Sequence, residues 1–431
     1  MNMNETCRQV KAASLKLAAA NGEQKNKALL RIAEVLLSHK NKIFSANEQD
    51  LKRSEAESIP LPLLKRLKFD ETKLAEVIDG IHSLAGLEDP VGKTLMSTEM
   101  DEGLELYKVT CPIGVIGIIF ESRPDALVQI STLCLKSGNG VLLKGGSEAR
   151  ETNRILADLI KSASEESGMP AGWCALLETR SDINELLKQE QYVDLIIPRG
   201  SNEFVRYIMN NTTIPVMGHA DGICHCYIDA EADPEMAVRI AIDSKTQYVA
   251  VCNALETLLV HQDIAREFLP AFKKAADEKG LELLGCRETL SVIPVAPASE
   301  EDWKTEYLDY KLSIKVVKSL EDAIDHINTY GSGHTDSIVT PDNEHAARFM
   351  SLVDSGNVFW NCSTRFSDGY KYGLGAEVGI STGKLHARGP VGLEGLVIYK
   401  YNLIGHGQIV ADYAAKRSTF KHRKLNRDFP L

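Results

Sequence analysis

Apolar runs of strand length alternate with amphipathic helical segments over most of this chain, beginning near residue 111. GVIGIIF precedes the helical stretch PDALVQISTLCLKSG, and GVLLKG precedes SEARETNRILADLIKSASEESG. A second series of the same kind follows Cys252 and ends near GNVFWN. Such alternation indicates parallel strands joined by crossover helices, because a tight turn cannot join parallel neighbours. The sequence therefore predicts an α/β fold with two doubly wound domains, which suits a chain of 431 residues.

Two β-rich segments fall outside this alternation. Residues 96–110 (MSTEMDEGLELYKVT) are typical of a hairpin with Gly103 near its turn, and residues 392–405 form a second β-rich stretch. Strands so far apart in sequence predict a small arm whose edges a second subunit would cover. We therefore expect a homo-oligomer, either a dimer or a tetramer. The predicted division is a first domain of 1–95 with 111–235, a second of 236–389, and an arm with its tail of 96–110 and 390–431.

Charge and cysteine content exclude several classes of protein. A net charge of −11 argues against nucleic-acid binding and fits a protein that handles small molecules. The basic stretch KHRKLNR at 421–427 is expected to be a solvated end.

Nine cysteines scattered through the chain predict a reducing compartment, the cytoplasm. No segment has the apolar length needed to cross a bilayer, and the first residues indicate an amphipathic helix rather than a signal peptide.

Three predicted strand ends carry small or basic residues just before a helix. They are Ser122 and Arg123 in ESRPDAL, Lys144 and Ser147 in VLLKGGSEA, and Gly200 and Ser201 in IIPRGSNE. Unpaired N–H groups at a helix start attract anions, and glycines let a ligand approach the backbone. Each turn alone is explained equally well by an ordinary capped crossover helix. Three together predict a nucleotide crevice at the carboxyl ends of the strands.

A run of possible metal ligands lies in GHADGICHCYID. Cys224, His225 and Cys226 are consecutive, and His219 is close by. In a strand the two cysteines share one face while His225 points to the other. No further cysteine or histidine pair completes a ligand set at a recognised spacing. We interpret the cysteines as core residues and expect no metal.

Cys252 lies in QYVAVCNA, between a helical segment and the strand ALETLLVH. Connections at domain junctions often carry reactive groups. Asn253 and the neighbouring backbone N–H groups have the chemistry to stabilise an oxyanion. No histidine is adjacent in the sequence, however. The residues alone leave open whether Cys252 is a nucleophile or a buried thiol.

Six segments together are similar to one known family. They are CPIGVIGIIFESRPDA, LLKGGSEA, IPRGSNE, GHADGICH, VCNALETLLVH and YKYGLGAEVGISTGKLHARGPVGLEGL. In this order they resemble the aldehyde dehydrogenase superfamily, and most closely the branch that reduces γ-glutamyl phosphate in proline synthesis. The resemblance implies an aldehyde dehydrogenase-like fold. The first predicted domain would bind NADPH, the second would be catalytic, and the arm would serve oligomerisation.

The resemblance also implies roles for individual residues. Cys252 falls at the position of the catalytic thiol, and Lys144 at that of a lysine on the adenosine ribose. Ser147 stands where NAD-preferring relatives often carry a glutamate, which implies a preference for NADPH. The remaining cofactor contacts would be Gly200 and Ser201 at the pyrophosphate and Glu306 at the nicotinamide ribose.

Two departures from the family pattern indicate the reaction. The segment that carries a general-base glutamate in hydrolytic members reads MGHADG here, so water activation is not expected. The usual oxyanion asparagine is replaced near Ser122, so the oxyanion would rely on the Cys252 N–H with Asn253 or Ser122. The implied reaction is NADPH-dependent reduction of L-γ-glutamyl 5-phosphate to L-glutamate 5-semialdehyde. Phosphate would leave as a Cys252 thioester forms.

The charges on this substrate predict complementary residues. Glu121 is a candidate for the ammonium, and Arg123, Arg365 and Arg388 are candidates for the anionic groups. An ordinary salt bridge explains each arginine equally well. Two alternatives remain open: another acylating relative that uses coenzyme A, and a non-catalytic paralogue that acts as a binding module. A complex with glutamate 5-kinase would also fit this chemistry.

Overall fold

The computed structural model describes residues 2–121, 123–179, 181–219, 221–375 and 377–431, apart from the side chains of Pro62 and Ser181. Its helices, numbered in chain order, are α1 Met3–Leu17, α2 Gly22–Ser38, α3 Lys40–Ala56, α4 Leu61–Leu67, α5 Glu71–Gly86, α6 Pro124–Lys136, α7 Arg150–Glu166, α8 Ser181–Leu186, α9 Asn202–Asn210, α10 Pro234–Thr246, α11 Gln262–Glu278, α12 Arg287–Leu290, α13 Leu320–Tyr330, α14 Asn343–Leu352 and α15 Val410–Ala414.

The strands are β1 Thr94–Asp101, β2 Leu104–Pro112, β3 Val115–Phe120, β4 Gly140–Lys144, β5 Cys174–Leu177, β6 Leu195–Arg199, β7 Cys224–Ile228, β8 Leu255–His261, β9 Glu282–Gly285, β10 Ala296–Pro297, β11 Lys311–Val317, β12 Thr335–Val339, β13 Asn357–Trp360, β14 Gly379–Ser381, β15 Gly389–Val391, β16 Val397–Ile404 and β17 Arg423–Lys424.

A first parallel sheet has the strand order β5-β4-β3-β6. Its central strands β3 and β4 are buried along their whole length. Apolar side chains of α2, α5, α6 and α7 cover it and form one continuous core with β3 and β4. The turns after β3, β4 and β6 lead into helices at the same edge of the sheet. The predicted α/β architecture is confirmed, and it brings the three small-residue turns together.

A second parallel sheet has the order β10-β9-β11-β8-β7-β12-β13. β7 precedes the predicted boundary at residue 236, yet it pairs with β8 on one side and β12 on the other. Residues 247–254 connect α10 to β8 and carry Cys252. A buried ion pair flanks this connection, with Lys245 Nζ 2.6 Å from Glu256 Oε2 and both side chains fully buried. The pair ties the end of α10 to the start of β8 and so limits where the connection can lie.

The arm is an antiparallel sheet of order β16-β2-β1-β17. The hairpin turn lies at Gly103, as predicted, and β16 pairs with β2 from Val397 to Ile404. The basic tail is exposed to solvent, as predicted, but it is also attached to the sheet of the arm. β17 pairs with β1, and Arg423 lies 2.7 Å from Glu99. Acidic side chains on the hairpin explain the attachment, because they form ion pairs with the cations of the tail.

No helix in the described part of the chain is long and apolar enough to cross a membrane.

Candidate active site

Two connected cavities lie at the carboxyl ends of β3, β4 and β6. The first, the thiol cavity, has a volume of about 610 Å³ and is lined by residues that include Arg123, Arg199, His219, Cys252, Glu306 and Glu377. The second, the lysine groove, has a volume of about 600 Å³ and is lined by residues that include Lys144, Gly145, Gly146, Ser147, Glu148 and Tyr207. Leu63, Phe120 and Glu121 line both spaces, so the groove opens into the cavity. A long ligand can reach Cys252 from the groove.

The predicted cofactor residues are divided between these two spaces. Lys144 and Ser147 line the groove, while Gly200, Ser201 and Glu306 line the thiol cavity. Glu306 is held in place by Asn202, whose Nδ2 donates to Glu306 Oε2 at 2.6 Å. The five residues therefore follow one continuous path that ends beside Cys252.

Backbone packing fixes the position of Cys252. A Cβ on Gly222 would lie 2.2 Å from the Cys252 carbonyl oxygen and 2.4 Å from its Cα, so the two backbones touch. The Cys224 thiol donates to the same carbonyl oxygen at 3.2 Å. Cys252 itself is half-buried and faces the cavity. The MGHADG segment thus packs directly against the predicted nucleophile.

Two histidines lie beside the Cys252 sulfur. Ring nitrogens of His219 and His334 lie within 4.8 Å of Cys252 Sγ and of each other. His219 Nδ1 is 2.7 Å from the Ile380 carbonyl oxygen, so Nδ1 carries the proton and Nε2 is left as an acceptor. Burial lowers the pKa of His219, which favours the neutral ring. No histidine is adjacent to Cys252 in the sequence. The fold instead brings two histidines from distant segments close to the Cys252 sulfur, where they can act as the base.

His334 is fully buried, and one of its two ring nitrogens lacks a hydrogen-bond partner among the described residues. Its Nδ1 lies 2.8 Å from Thr335 Oγ1, and its Nε2 has no hydrogen bond among the described residues. The rings of His219 and His334 meet edge to face with centroids 4.7 Å apart. Buried polar groups without a partner are uncommon away from functional sites. The sequence held no local signal for His334.

The consecutive residues of the CHC run behave as core residues. Cys224 and Cys226 are fully buried, and burial raises the pKa of Cys226 to about 12. His225 Nδ1 lies 2.8 Å from Asp336 Oδ1 inside the second domain. These groups are engaged in packing and internal hydrogen bonds, as the alternating strand pattern predicts.

Asn253 and Ser122 were the two side chains predicted to stabilise the oxyanion, and the structure describes only the first. The Asn253 side chain is buried, and its Nδ2 donates to the Ser367 carbonyl oxygen at 2.7 Å. It supports the loop from behind rather than lining the thiol cavity. Ser122 lies outside the described residues. The Cys252 backbone N–H donates no hydrogen bond among the described residues, which leaves it available to a ligand.

The charged candidates for the substrate are not all brought together. Glu121 and Arg123 line the thiol cavity, and Arg123 pairs with Asp125 at 2.8 Å. Burial and the nearby Glu148 carboxylate raise the pKa of Glu121. Arg365 donates to Gln247 Oε1 at 2.9 Å and is close enough to Cys252 to interact with its charge. Arg388 lies in a separate cavity, paired with Asp354 at 3.1 Å.

Three charged residues of the thiol cavity were absent from the sequence-based candidates: Arg66, Arg199 and Glu377. Arg199 is the last residue of β6, and burial lowers the pKa of its guanidinium. Glu377 accepts a hydrogen bond from the Gly369 N–H at 2.8 Å, and burial raises the pKa of its carboxyl. An arginine at the end of an otherwise apolar strand, in IIPRGSNE, was the signal available for Arg199. Glu377 had none.

A sequence model of the aldehyde dehydrogenase family matches residues 1–310. The chain is 72% identical over 431 residues to the gamma-glutamyl phosphate reductase of Acetivibrio thermocellus, with 100% of both chains covered. It is 70% identical over 431 residues to the gamma-glutamyl phosphate reductase of Pelotomaculum thermopropionicum, with 100% of this chain and 99% of the relative covered.

Solved structures show the same relationship. The crystal structure of the gamma-glutamyl phosphate reductase from Thermotoga maritima matches with a TM-score of 0.93 at 40% identity, over 95% of this chain and 100% of that one. An acetylating aldehyde dehydrogenase from Geobacillus thermoglucosidasius, at 17% identity and a TM-score of 0.64, shares the fold over 94% of this chain and 97% of its own. The chain belongs to the aldehyde dehydrogenase family, in the group of the gamma-glutamyl phosphate reductases.

Proposed function

We propose that this chain reduces L-γ-glutamyl 5-phosphate to L-glutamate 5-semialdehyde, with release of phosphate and with NADPH as reductant, in proline biosynthesis. The observation that carries the proposal is Cys252 in the thiol cavity, into which the lysine groove opens, in a chain 72% identical over its full length to a gamma-glutamyl phosphate reductase. A thiol in this position can accept an acyl group while a long cofactor occupies the groove behind it.

The proposed first step is attack of the Cys252 thiolate on the acyl carbon. The thiol proton passes to one of the two imidazoles within 4.8 Å, and His219 Nε2 is an open acceptor. The carbon–sulfur bond forms as the carbon–oxygen bond to phosphate breaks, and the electron pair leaves on phosphate. The free N–H of Cys252 is the nearest backbone donor for the developing oxyanion.

The residues around the thiol must also leave water unactivated, so that water does not hydrolyse the thioester. Hydrolytic relatives activate water with a glutamate, whereas here the MGHADG segment presents His219 to the sulfur. Because burial lowers the pKa of His219, its ring is too weak a base to deprotonate water, although it can accept the proton of a thiol, which is a much stronger acid than water. This supports a thioester that survives until reduction. Glu377 is a second carboxyl group that lines the cavity, but it already accepts a hydrogen bond from the Gly369 N–H.

The chain's residues fit a nicotinamide cofactor along the path already described. A Cβ at position 145 would lie 2.2 Å from Asn153 Nδ2, so only glycine lets the turn after β4 pack this closely against α7. Lys144 and Ser147 would face the adenosine half, and Gly200, Ser201 and Glu306 the other half. When bound, the cofactor supplies the hydride that reduces the acyl carbon.

Preference for NADPH over NADH is proposed to depend on Ser147. A Ser147→Glu substitution should raise the KM for NADPH at least about tenfold, because a carboxylate would repel the 2′-phosphate. The KM for NADH should stay within about threefold. Steady-state kinetics with both cofactors measure this. Ser147→Gln is the matched control, since it adds the same bulk without charge. An unchanged NADPH preference in the glutamate variant would show that Ser147 does not select the cofactor.

The proposal is tested by the reverse reaction. We expect semialdehyde and NADP⁺ to give NADPH only when inorganic phosphate is present. Turnover that instead requires coenzyme A would identify an acylating enzyme of the coenzyme A type. Absence of both turnover and NADPH binding would favour a non-catalytic binding module. The spectrophotometric assay at 340 nm, repeated with each acceptor, separates these three outcomes.

The proposed substrate contacts are Glu121 for the ammonium and Arg123 or Arg365 for the carboxylate. Glu121 and Arg123 are supported by their place on the thiol cavity, and Arg365 by its closeness to Cys252. Arg388 is not assigned a substrate contact, because it lines a separate cavity that does not contain Cys252.

We also propose that the chain assembles through its arm. β16 is an edge strand with Ile398, Tyr399, Tyr401 and Leu403 exposed, and such an edge is usually covered in the assembled protein. A dimer or tetramer would cover it. Native mass spectrometry of the chain, alone and mixed with glutamate 5-kinase, measures both the oligomer and the proposed complex with the kinase.

A further inference from the structure

Arg199 differs from the three arginines predicted to bind the substrate, because its side chain has no partner among the described residues. Its guanidinium makes no hydrogen bond and no salt bridge with any described residue. Arg123 is paired with Asp125, Arg365 with Gln247 and Arg388 with Asp354. Arg199 nevertheless lines the thiol cavity together with Cys252.

A cation placed in this way is costly without an anion. Burial removes water from the Arg199 guanidinium, and the neighbouring Arg123 adds repulsion. Glu377, Asp125 and Cys252 offset part of this charge from a distance, but none lies close enough for a salt bridge. The free protein thus holds an incompletely compensated positive charge beside its nucleophile. A ligand that brings a compact dianion to this place would be strongly favoured.

The geometry of the fold keeps the guanidinium in place. Arg199 ends β6, where its backbone pairs with Phe120 at the end of β3. Its side chain therefore extends from a rigid sheet edge rather than from a mobile loop. A planar guanidinium presents paired N–H donors that match two oxygens of a phosphoryl group.

We propose that Arg199 binds the phosphoryl group of the acyl phosphate substrate and receives it as the leaving group. The inference rests on the proposed function and deepens it by assigning the phosphate subsite. When Cys252 attacks, the carbon–oxygen bond breaks and its electron pair moves onto the phosphate. Arg199 stays protonated throughout and donates hydrogen bonds to the oxygens that gain charge. The same subsite holds inorganic phosphate in the reverse reaction.

Substitution of Arg199 should act selectively on phosphate. Arg199→Gln is expected to raise the KM for phosphate in the reverse reaction about 100-fold, as loss of charge-assisted hydrogen bonds requires. The KM values for semialdehyde and NADP⁺ should change by less than about threefold. Arg199→Lys should lose about tenfold, because it keeps the charge without the paired donors. Arg348→Gln is the control, because Arg348 is an exposed arginine on α14 that pairs with Glu321 on α13.

A second measurement needs no turnover. Inorganic phosphate should slow alkylation of Cys252 by iodoacetamide in the wild-type chain, with saturation, and should not slow it in Arg199→Gln. Retained phosphate protection in that variant would overturn the assignment while leaving the proposed function intact. A raised semialdehyde KM with an unchanged phosphate KM would overturn it too, and would assign Arg199 to the substrate carboxylate. Phosphate-independent oxidation by the wild type would instead contradict the proposed function itself.

Discussion

Cys252→Ala should abolish phosphate-dependent turnover, with a loss of at least about 10⁴-fold in kcat. The expected cause is the absence of any other nucleophile at this place, since Cys252 is the cysteine that lines the thiol cavity among the described residues. Binding of NADPH should persist in this variant, because the groove is lined by other residues. Fluorescence titration with NADPH and the assay of the reverse reaction measure the two effects separately.

Cys286→Ala is the matched control for this substitution. Cys286 is likewise half-buried and free, but it lies beyond β9 and contacts Thr289 and the Val316 N–H. It should retain wild-type activity. Mass spectrometry of the wild-type chain mixed with acyl phosphate, without NADPH, should find one glutamyl group on the peptide that contains Cys252. Normal activity in Cys252→Ala would exclude the thioester route.

Gly222→Ala should lower kcat about 100-fold, because a displacement of the nucleophile by about 1 Å has an effect of that order. The added methyl group would lie 2.2 Å from the Cys252 carbonyl oxygen, so one of the two backbones has to move. The Lys245–Glu256 pair holds the neighbouring ends of α10 and β8. The connection between them is therefore expected to take up the shift. Steady-state kinetics and the alkylation rate of Cys252 both report it.

Gly80→Ala provides the control for this second substitution. Gly80 lies in α5, and an added Cβ would have nothing within 4 Å. Alanine is the better helix former, so this variant should be fully active and slightly more stable. If Gly222→Ala had wild-type kcat and wild-type alkylation kinetics, contact with the MGHADG segment would not determine the position of Cys252.

Sequence patterning was sufficient to predict the architecture, and it singled out several residues that line the two cavities. The alternation of apolar runs and helices predicted both parallel sheets, because each buried strand must be apolar on both faces. Lys144, Ser147, Gly200 and Ser201 could be singled out because they lie at or just after the ends of β4 and β6, the two strands that flank β3. These are properties of short segments, and short segments can be recognised without the fold.

The pattern of short segments could not show which distant parts of the chain lie close together in the fold. His334 reaches Cys252 only because β12 and β8 both flank β7, and no local pattern marks it. Arg199 was visible as a charge at a strand end, but its lack of a partner is a property of the folded chain. The basic tail is exposed to solvent, as predicted, but its ion pairs could not be predicted, since the acidic partners lie on a hairpin near residue 100.

The arm joins parts of the chain that are made at very different times. The hairpin of β1 and β2 is complete early in synthesis, but its two edges are covered by β16 and β17, which are translated after both parallel sheets. Domains usually fold in order from the N-terminus as they leave the ribosome. The nascent chain therefore carries a hairpin with two open edges through most of its synthesis, and open edges promote pairing with other chains. The charged side chains of β1, Glu99 and Asp101, lie on the edge that stays open longest, where they disfavour such mispairing until the basic tail arrives.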